Sequence, residues 1–329
     1  MPMLQACVCT HNPRLDIFRR VLGSIARQSR RPPGFELVII DNASDPPLCE
    51  AECMAILGST PVRIEREPRL GIAAARARAV SVTSAEWVLL VDDDTELAPD
   101  YLECALRVIA RTPGLGCFGG KLLLPGDLVV DPWMRPLLGF LAIRDAGDAP
   151  ITACSGEWGV WEPPAAGAVV RRPLLERYCA VVQANRSASQ LGRKGVRSFG
   201  AGEDALLMSG AYELGLSASY QPSLRLTHHL DPSRLEFTYL MRLMYGHGRS
   251  RIILERVLRD CGRQPAPAIG PILLARTARA FYRTFVQDPL VSLRYACCTA
   301  AYRAGSAFAR LRLAQQSPPP LDTNDAASA

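Results

Sequence analysis

Several motifs that mark common nucleotide-binding classes are missing from this sequence of 329 residues. No G-x-G-x-x-G turn follows the first predicted strand, which argues against a nicotinamide dehydrogenase, and the absence of G-x-x-x-x-G-K-[ST] excludes a P-loop enzyme. The segment after that strand, CTHNPRLD, also lacks the glycine-rich basic loop expected of a sugar nucleotidyltransferase. Any nucleotide site in this chain must therefore be built from residues other than these glycine-rich motifs.

Cysteine usage and hydropathy exclude further classes. The eleven cysteines are odd in number and scattered, and no pair has the two-residue spacing of a zinc ribbon, which favours a reducing, cytosolic environment. The first residues, MPMLQACVCTHN, show no basic region followed by an apolar one, so we expect no export signal and a catalytic part that faces the cytoplasm. No window reaches about 18 uncharged apolar residues, which argues against a spanning helix.

The net charge is +6, and arginines are the main source of it. From Arg225 onward they alternate with apolar residues instead of forming a block. This distribution suits a phosphate ligand or an anionic surface and does not indicate nucleic acid. We therefore expect no nucleic-acid partner.

Short apolar runs alternate with amphipathic stretches in the first third of the chain. Residues 5–9 and 36–40 have the pattern of strands, and residues 15–28 between them have the spacing of an amphipathic helix. The alternation continues through a helix at 72–83 and a strand at 87–91. This pattern predicts an α/β fold with a mostly parallel sheet that helices cover on both faces.

Polar residues follow three of the predicted strands. They are Thr10, His11 and Asn12 after the first, Asp41 and Asn42 after the second, and Asp92, Asp93 and Asp94 after the fourth. Ligands of such sheets bind outside the carboxyl ends of the strands. We therefore expect these side chains to converge on one crevice.

Two acidic motifs and a histidine pair are candidates for the chemistry. Adjacent carboxylates at Asp92–Asp94 repel one another unless a cation neutralises them, and oxygen ligands favour Mg²⁺ or Mn²⁺. The alternative is an acidic turn that caps a helix beginning at residues 95–100. Glu203 and Asp204 either stabilise a helix N-terminus or include a general base. His228 and His229 supply a metal or phosphate contact or have a structural role.

The remaining segments are less regular. The Gly/Pro-rich stretch 113–173 contains Trp133, Trp158 and Trp161 and has the character of a binding loop or lid. Helices are predicted at 234–258 and 272–313, and the tail after Gln316 is predicted to be disordered. In residues 273–285 arginines alternate with Leu, Phe and Tyr. Two interpretations are open to equal degrees: a helix that lies on an anionic bilayer, and a helix that packs on the sheet domain with its arginines in solvent.

An ordered set of motifs resembles the family 2 glycosyltransferases of the GT-A nucleotide-sugar fold. The set is CTHN, IIDNAS, RLGIAAARARAV, LLVDDDTELAPDYLE, CFGGKLL, GAVVRR and GAGEDALLMSGAYELG followed by HH. It covers roughly residues 3–230. The resemblance implies a GT-A domain at 1–230, with a nucleotide-binding half at about 1–120 and an acceptor half at about 121–230. A helical extension at 231–315, with possible membrane association, and a disordered tail at 316–329 complete the predicted organisation.

The same resemblance implies roles for individual residues. The nucleotide contacts would be Thr10, His11, Asn12, Asp41, Asn42, Arg76, Asp92 and Asp93. A Mn²⁺ or Mg²⁺ ion would be held by Asp94, Asp92 and His228. Asp204 would be the general base, with Glu203 orienting it or contacting the acceptor. Arg69 and Ala77 stand where the family usually has asparagine, and His11 stands where tyrosine is commoner.

The function implied is an inverting, metal-dependent transfer of a sugar from a nucleoside-diphosphate donor to a hydroxyl of a glycan or lipid-linked acceptor. The resemblance also implies a role in the synthesis of cell-surface polysaccharide or glycolipid. The protein would act in the cytoplasm or on the inner face of the membrane. Residues 156–167, with Trp158 and Trp161, form either an acceptor-side loop or ordinary core packing. The alternative function is an inactive glycosyltransferase-like scaffold or binding subunit at the membrane surface.

Overall fold

The computed structural model describes residues 3–154, 159–195, 198–262 and 289–316. Within these residues the strands form one nine-stranded sheet in the order β3-β2-β1-β4-β8-β6-β9-β5, with β7 also paired to β9. The strands are β1 (Leu4–Thr10), β2 (Leu37–Asn42), β3 (Val62–Glu67), β4 (Trp87–Asp92), β5 (Thr95–Leu97), β6 (Leu115–Leu123), β7 (Ile151–Ala153), β8 (Val169–Arg171) and β9 (Ser217–His228).

Helices cover the sheet on both faces, as the alternating sequence pattern predicts. They are α1 (Leu15–Ala26), α2 (Glu50–Leu57), α3 (Ile72–Val82), α4 (Tyr101–Arg111), α5 (Arg172–Ala184), α6 (Glu203–Glu213), α7 (Phe237–Asp260) and α8 (Pro289–Gln316). Helices α1 and α4 pack on one face, where the buried stripe of α1 includes Phe18, Leu22 and Ile25. Helices α3, α5 and α6 pack on the other face. The predicted α/β architecture is confirmed.

The first half of the sheet is parallel. Strand β1 lies between β2 and β4, and Cys7 is opposite both Val38 and Leu90. All three strands have the continuous apolar sequence expected when a sheet is buried on both faces. Because the strands run in the same direction, their carboxyl ends meet at one edge, where Thr10 is opposite Asp41 and Cys9 is opposite Asp92.

The second half of the sheet is mixed, and here both ends of the stretch 113–173, which was predicted to be irregular, belong to strands β6 and β8. Strand β8 is antiparallel to β4 and β6, whereas β9 is parallel to β6. The glycines of β6 permit close packing, since a Cβ on Gly120 would lie 2.0 Å from the carbonyl oxygen of Leu224. They had suggested a loop, but they belong to a strand. A 3₁₀ helix, Pro132–Leu141, lies farther along the same stretch.

Helices α7 and α8 cross at glycines. A Cβ on Gly248 would lie 1.9 Å from the carbonyl oxygen of Tyr302, and one on Gly305 would lie 2.0 Å from that of Tyr245. Ser306 Oγ donates to the Gly248 carbonyl at 3.0 Å. The two backbones can approach this closely because neither glycine carries a side chain.

The C-terminal predictions are tested only in part. Helix α7 agrees with the predicted helix at 234–258, and α8 covers the later part of the one predicted at 272–313. Residues 272–288, with the segment 273–285, and the tail 317–329 lie outside the described residues, and the division of the chain near residue 230 remains a prediction. None of the described helices combines the length and apolar character needed to cross a bilayer.

Candidate active site

The loop after β1 is joined to the loop after β2 by hydrogen bonds. His11 Nδ1 lies 2.8 Å from the Asn42 carbonyl oxygen. The Asn12 N–H donates to Ser44 Oγ at 3.0 Å, and Asn12 Oδ1 accepts from the Asp45 N–H at 2.8 Å. Asn12 has a φ of 49°, a left-handed conformation that asparagine tolerates better than most residues. His11 and Asn12 remain partly accessible, as a nucleotide contact requires.

Asp41 and Asn42 are buried, and the polar atoms of their side chains are engaged. The two carboxylate oxygens of Asp41 accept from the backbone N–H groups of Ser44 at 3.0 Å and Leu48 at 3.2 Å. Asn42 donates to the carbonyls of Glu67 and Arg69 and accepts from the Gly71 N–H. These contacts shape the loops around the crevice, while the predicted contacts of both side chains with the nucleotide remain predictions.

Asp94 lies between two cationic or proton-donating groups. Its Oδ2 atom is 3.2 Å from His228 Nε2 and 3.1 Å from Arg234 Nη1. The pairing of β5 with β9 sets Thr95 opposite His228 and so brings the histidine to the acidic turn. Burial acts to raise the pKa of Asp94, but His228 and Arg234 outweigh it, and the net pKa lies well below the usual value.

The other two acids of the turn behave in the opposite way. Burial, followed by the charge of Asp94, raises the pKa of Asp92 to about 6 and that of Asp93 to about 7. Thr10 Oγ1 donates to Asp93 Oδ2. Residues 95–97 form strand β5, so the alternative of a helix beginning after the acidic turn is wrong.

A second acidic pair, Glu203 and Asp204, begins α6 after Gly202, whose φ is 86°. Burial, then the neighbouring Asp204, raises the pKa of Glu203 to about 8. Asp204 Oδ2 accepts from the Ala165 N–H at 3.2 Å. Burial also opposes ionisation of Asp204, but Arg76 and hydrogen bonds from Glu203 and Ala165 lower its pKa. The pair therefore consists of a neutral Glu203 and an ionised Asp204.

Arg76 on α3 connects the two acidic groups electrostatically. Its side chain is 3% exposed, and Nη2 lies 3.6 Å from Glu203 Oε1. Burial alone would lower the pKa of Arg76, but the nearby acids, which include Glu203, Asp204 and Asp92, raise it above the usual value. The guanidinium group lies 5.8 Å from the ring centroid of Tyr178. Arg76 was predicted to approach the nucleotide, and the structure places it between the acidic turn and the Glu203–Asp204 pair.

Of the two consecutive histidines, His228 is the one directed at the acidic turn. Its ring is buried, and Nδ1 has no hydrogen-bond partner among the described residues. His229 instead lies 2.9 Å from Glu96 Oε2 through its Nε2 atom. In the part of the chain that the structure describes, no three His, Cys, Asp or Glu side chains are grouped so as to hold a metal ion by themselves. The predicted set of Asp94, Asp92 and His228 remains a prediction.

The family model "Glycosyl transferase family 2" matches residues 6–177, more than half of the chain. The chain belongs to glycosyltransferase family 2. The resemblance noted in the sequence motifs is thereby confirmed, and the matched region includes β1, β2, β4 and the acidic turn.

Individual relatives of this family 2 chain are distant. The uncharacterized protein y4gI of Sinorhizobium fredii is 32% identical over 131 residues, which are 38% of this chain and 14% of that protein. A mannosyltransferase, PcManGT from Pyrobaculum calidifontis in complex with GDP-Man and Mn²⁺, has a TM-score of 0.53 at 21% identity and is matched over 96% of this chain and 79% of its own. That likeness supports the GT-A fold. Residues 1–349 of TarS from S. aureus give a TM-score of 0.46 at 16% identity, over 98% and 94% of the two chains.

Three residues near the acids of this family 2 chain were missed by sequence reasoning. Arg234 pairs with Asp94, and Arg193, whose Nη2 is 3.3 Å from the Tyr239 hydroxyl, also lowers the pKa of Asp94. His247 on α7 lies edge-on to Phe140, with 5.1 Å between the ring centroids, and burial lowers its pKa to about 4. Asp204 acts against that shift. The concentration of arginine and histidine after residue 190 was the available signal.

Two tryptophans of the stretch 113–173, Trp161 of the predicted acceptor loop and Trp133, have structural contacts. Trp161 Nε1 donates to the Tyr212 hydroxyl at 3.1 Å, and that hydroxyl donates to Glu162 Oε1 at 2.6 Å. Trp133 is buried against Phe237. For Trp161 and Trp133 these contacts favour core packing, and Trp158 lies outside the described residues.

Proposed function

We propose that this chain is an inverting glycosyltransferase that moves a sugar from a nucleoside-diphosphate donor to a hydroxyl of a glycan or lipid-linked acceptor. The observation that carries this proposal is the arrangement around Arg76. One buried guanidinium is in electrostatic contact with the acidic turn and with the Glu203–Asp204 pair. A site for the donor phosphates and a candidate base thus share one crevice, which is what a single displacement requires.

Asp204 is the general base in this proposal. Its lowered pKa keeps the carboxylate ionised and able to accept a proton, whereas Glu203, with a pKa of about 8, keeps its own proton and donates a hydrogen bond to Asp204. The acceptor hydroxyl gives its proton to Asp204 while its oxygen bonds to the anomeric carbon. The bond from that carbon to the donor phosphate breaks at the same time, and the nucleoside diphosphate leaves. Attack from the opposite side inverts the anomeric carbon.

The acidic turn has the donor atoms that a divalent ion prefers. Asp92 and Asp94 provide carboxylate oxygens on alternate residues. Burial raises the pKa of Asp92, repulsion by Asp94 raises it further, and a cation relieves such repulsion. Mg²⁺ in phosphate chemistry is commonly held by one or two carboxylates together with the substrate phosphates, so a complete protein cage is unnecessary. Asp94, Asp92 and His228 would hold Mn²⁺ or Mg²⁺. When bound, the ion would neutralise charge on the departing diphosphate, an effect of several kcal/mol.

Helix α8 supports a further part of the proposal, peripheral contact with an anionic membrane on its cytoplasmic face. Residues 289–316 contain four arginines and no acid, and Leu293, Phe308 and Leu311 are exposed. Apolar side chains among arginines suit an anionic interface. Sedimentation with phosphatidylglycerol vesicles should fall when Phe308 and Leu311 are both replaced by serine. Unchanged sedimentation would contradict membrane contact through this helix.

The test of the main proposal is calorimetric titration with UDP, GDP and dTDP, each with and without Mn²⁺. GDP is included because the mannosyltransferase neighbour carries GDP-Man. We expect one nucleotide to bind in a metal-dependent manner, and Asp94→Ala should remove that dependence. Asp127→Ala, at an exposed acid, is the matched control. Binding of no nucleotide under any condition would favour the inactive scaffold instead.

A further inference from the structure

A cleft of about 600 Å³ lies beside the crevice, with residues 190–194 and 198–200 on one side, α7 on the other and α8 at one end. This volume is in the range of sites that bind small ligands. Its lining includes Lys194 and Phe199 from the loop side, and Arg242, Tyr245 and Arg249 from α7. The helical residues are three, four and seven positions apart, so their side chains share one face of the helix.

The charged side chains that line this cleft, among the described residues, are all positive. Among the described residues that line it, three are cations, Lys194, Arg242 and Arg249, and none is an acid. Within the described part of the chain, none of the three is in a salt bridge. These cations therefore remain available to an anionic ligand.

Two other arginines of α7 are paired with acids of the same helix. Arg251 and Arg256 each bind a carboxylate one turn later, Glu255 and Asp260, at 2.9 Å. The positions four residues after Arg242 and Arg249 are Gly246 and Ile253. The helix thus places no acid one turn after either arginine of the cleft.

The cleft adjoins the candidate general base. Gly192, which lines it, packs against Glu203, because a Cβ on this glycine would lie 3.2 Å from Glu203 Cγ. Ser250 Oγ, also in the lining, accepts from the Ala201 N–H at 3.0 Å, two residues before Glu203. A ligand in the cleft would therefore lie next to the residues that begin α6.

We propose that this cleft binds the phosphate group of a phosphate-bearing acceptor, through Lys194, Arg242 and Arg249. Phosphate suits three converging cations because its oxygens accept several charge-assisted hydrogen bonds at once. Phe199 and Tyr245 provide aromatic surface on the two sides for the rest of the acceptor. This proposal rests on the proposed function, because it takes the ligand of the cleft to be the acceptor whose hydroxyl reaches Asp204.

The test uses glycerol phosphate as the probe, titrated into the full chain without metal and without nucleotide. We expect measurable binding that weakens about tenfold for Arg242→Gln and for Arg249→Gln, the loss of a charged hydrogen bond. Lys194→Gln, on a separate segment, should also weaken it. Arg256→Gln removes the same charge from α7 outside the cleft and should leave binding unchanged. Thermal unfolding of each variant checks that the fold is kept.

The outcomes separate this proposal from others. Equal weakening by Arg256→Gln would mean that net charge alone attracts the probe, and it would overturn the cleft site, as would failure of glycerol phosphate to bind. If the cleft variants lost nucleotide affinity instead, the cleft would belong to the donor diphosphate. If they lost binding to phosphatidylglycerol vesicles but kept glycerol phosphate, the surface would be a membrane contact. Asp94→Ala should keep glycerol phosphate binding, so failure of the donor proposal would be recognised separately.

Discussion

The acidic turn Asp92–Asp94 and the acidic pair Glu203–Asp204 face the same crevice but differ in what keeps one carboxylate ionised. In the turn, Asp94 has side-chain partners, His228 and Arg234, from β9 and the segment after it. In the pair, Asp204 depends on Arg76, a backbone N–H and its neighbour Glu203. Each group therefore contains one acid with a lowered pKa beside acids with a raised one.

The difference between the two groups matches different chemical tasks. An ionised carboxylate beside a neutral acid can receive a proton, which is the arrangement around Asp204. Three carboxylates in succession, with two pKa values raised by burial and then by the charge of Asp94, are suited to a ligand of opposite charge. In the proposed function the same residue type would therefore serve two purposes because its neighbours differ.

The largest effect should come from removing the base. We expect Asp204→Asn to lower kcat by roughly 10²–10⁴-fold with little change in nucleotide affinity, since the amide cannot accept the acceptor proton. Glu203→Gln should cost less, because Glu203 is already neutral and the amide keeps a donor toward Asp204. Steady-state kinetics with the nucleotide sugar identified by titration measures both. Equal losses in the two variants would contradict the assignment of Asp204 over Glu203.

The next largest effect concerns the turn. Asp94→Asn should weaken metal-dependent nucleotide binding by roughly a hundredfold, the scale of a few kcal/mol of metal-mediated charge neutralisation. Asp93→Asn should weaken it by less than about tenfold, because the pKa of Asp93 is raised to about 7 and its carboxyl group is engaged by Thr10. Calorimetry with and without Mn²⁺ measures the difference. A larger loss for Asp93→Asn would reverse the roles of the two residues.

The acids of both groups could be found from the sequence because they stand next to regular elements. Asp92–Asp94 follow an apolar strand, and the carboxyl ends of parallel strands meet at one edge. Their ionisation could not be found this way. The ionisation of Asp94 depends on His228 and then on Arg234 and Arg193, two arginines that approach from segments remote in sequence and carry no periodic pattern.

The mixed half of the sheet could not be predicted from the sequence either, again because it depends on contacts between distant segments. Strand β8 has three residues, too few to show a period, and the glycines of β6 suggested a loop until the packing against β9 explained them. The crossing of α7 and α8 depends on Gly248 and Gly305, and hydrophobic periodicity gives no sign of such a contact. Local patterns predicted the parallel core, whereas these features depend on contacts between distant segments.

A smaller effect should follow from removing the residue that the two groups share. Arg76 lowers the pKa of Asp92, Glu203 and Asp204, so Arg76→Gln should raise all three. The acidic limb of the pH–kcat profile, governed by Asp204, should then move to higher pH. Arg78→Gln is the matched control, since Arg78 lies on the same helix but pairs with Glu65. If kcat fell without any shift of the acidic limb, Arg76 would not set the ionisation of Asp204.

The smallest effect is on stability and is of the order of a few degrees in unfolding temperature. Variants of Glu203 and Asp204 should change stability in opposite directions relative to the parent as pH rises. The pKa of Glu203 is raised from 4.5 to about 8 in the fold, so the stability that its proton provides is complete below about 4.5 and is lost as pH rises through about 8. Glu203→Gln stays neutral and should gain stability relative to the parent across that window. The folded pKa of Asp204 is lowered, so its ionised form stabilises the fold above its ordinary value of 3.8, and that contribution is lost as pH falls through the folded pKa. Relative to the parent, Asp204→Asn should therefore lose stability as pH rises from the folded pKa of Asp204 to about 3.8, and the deficit should stay constant at higher pH. Calorimetric scans from below pH 3.8 to above pH 8 measure both trends, and trends of the same sign would show that the two carboxyl groups share one environment.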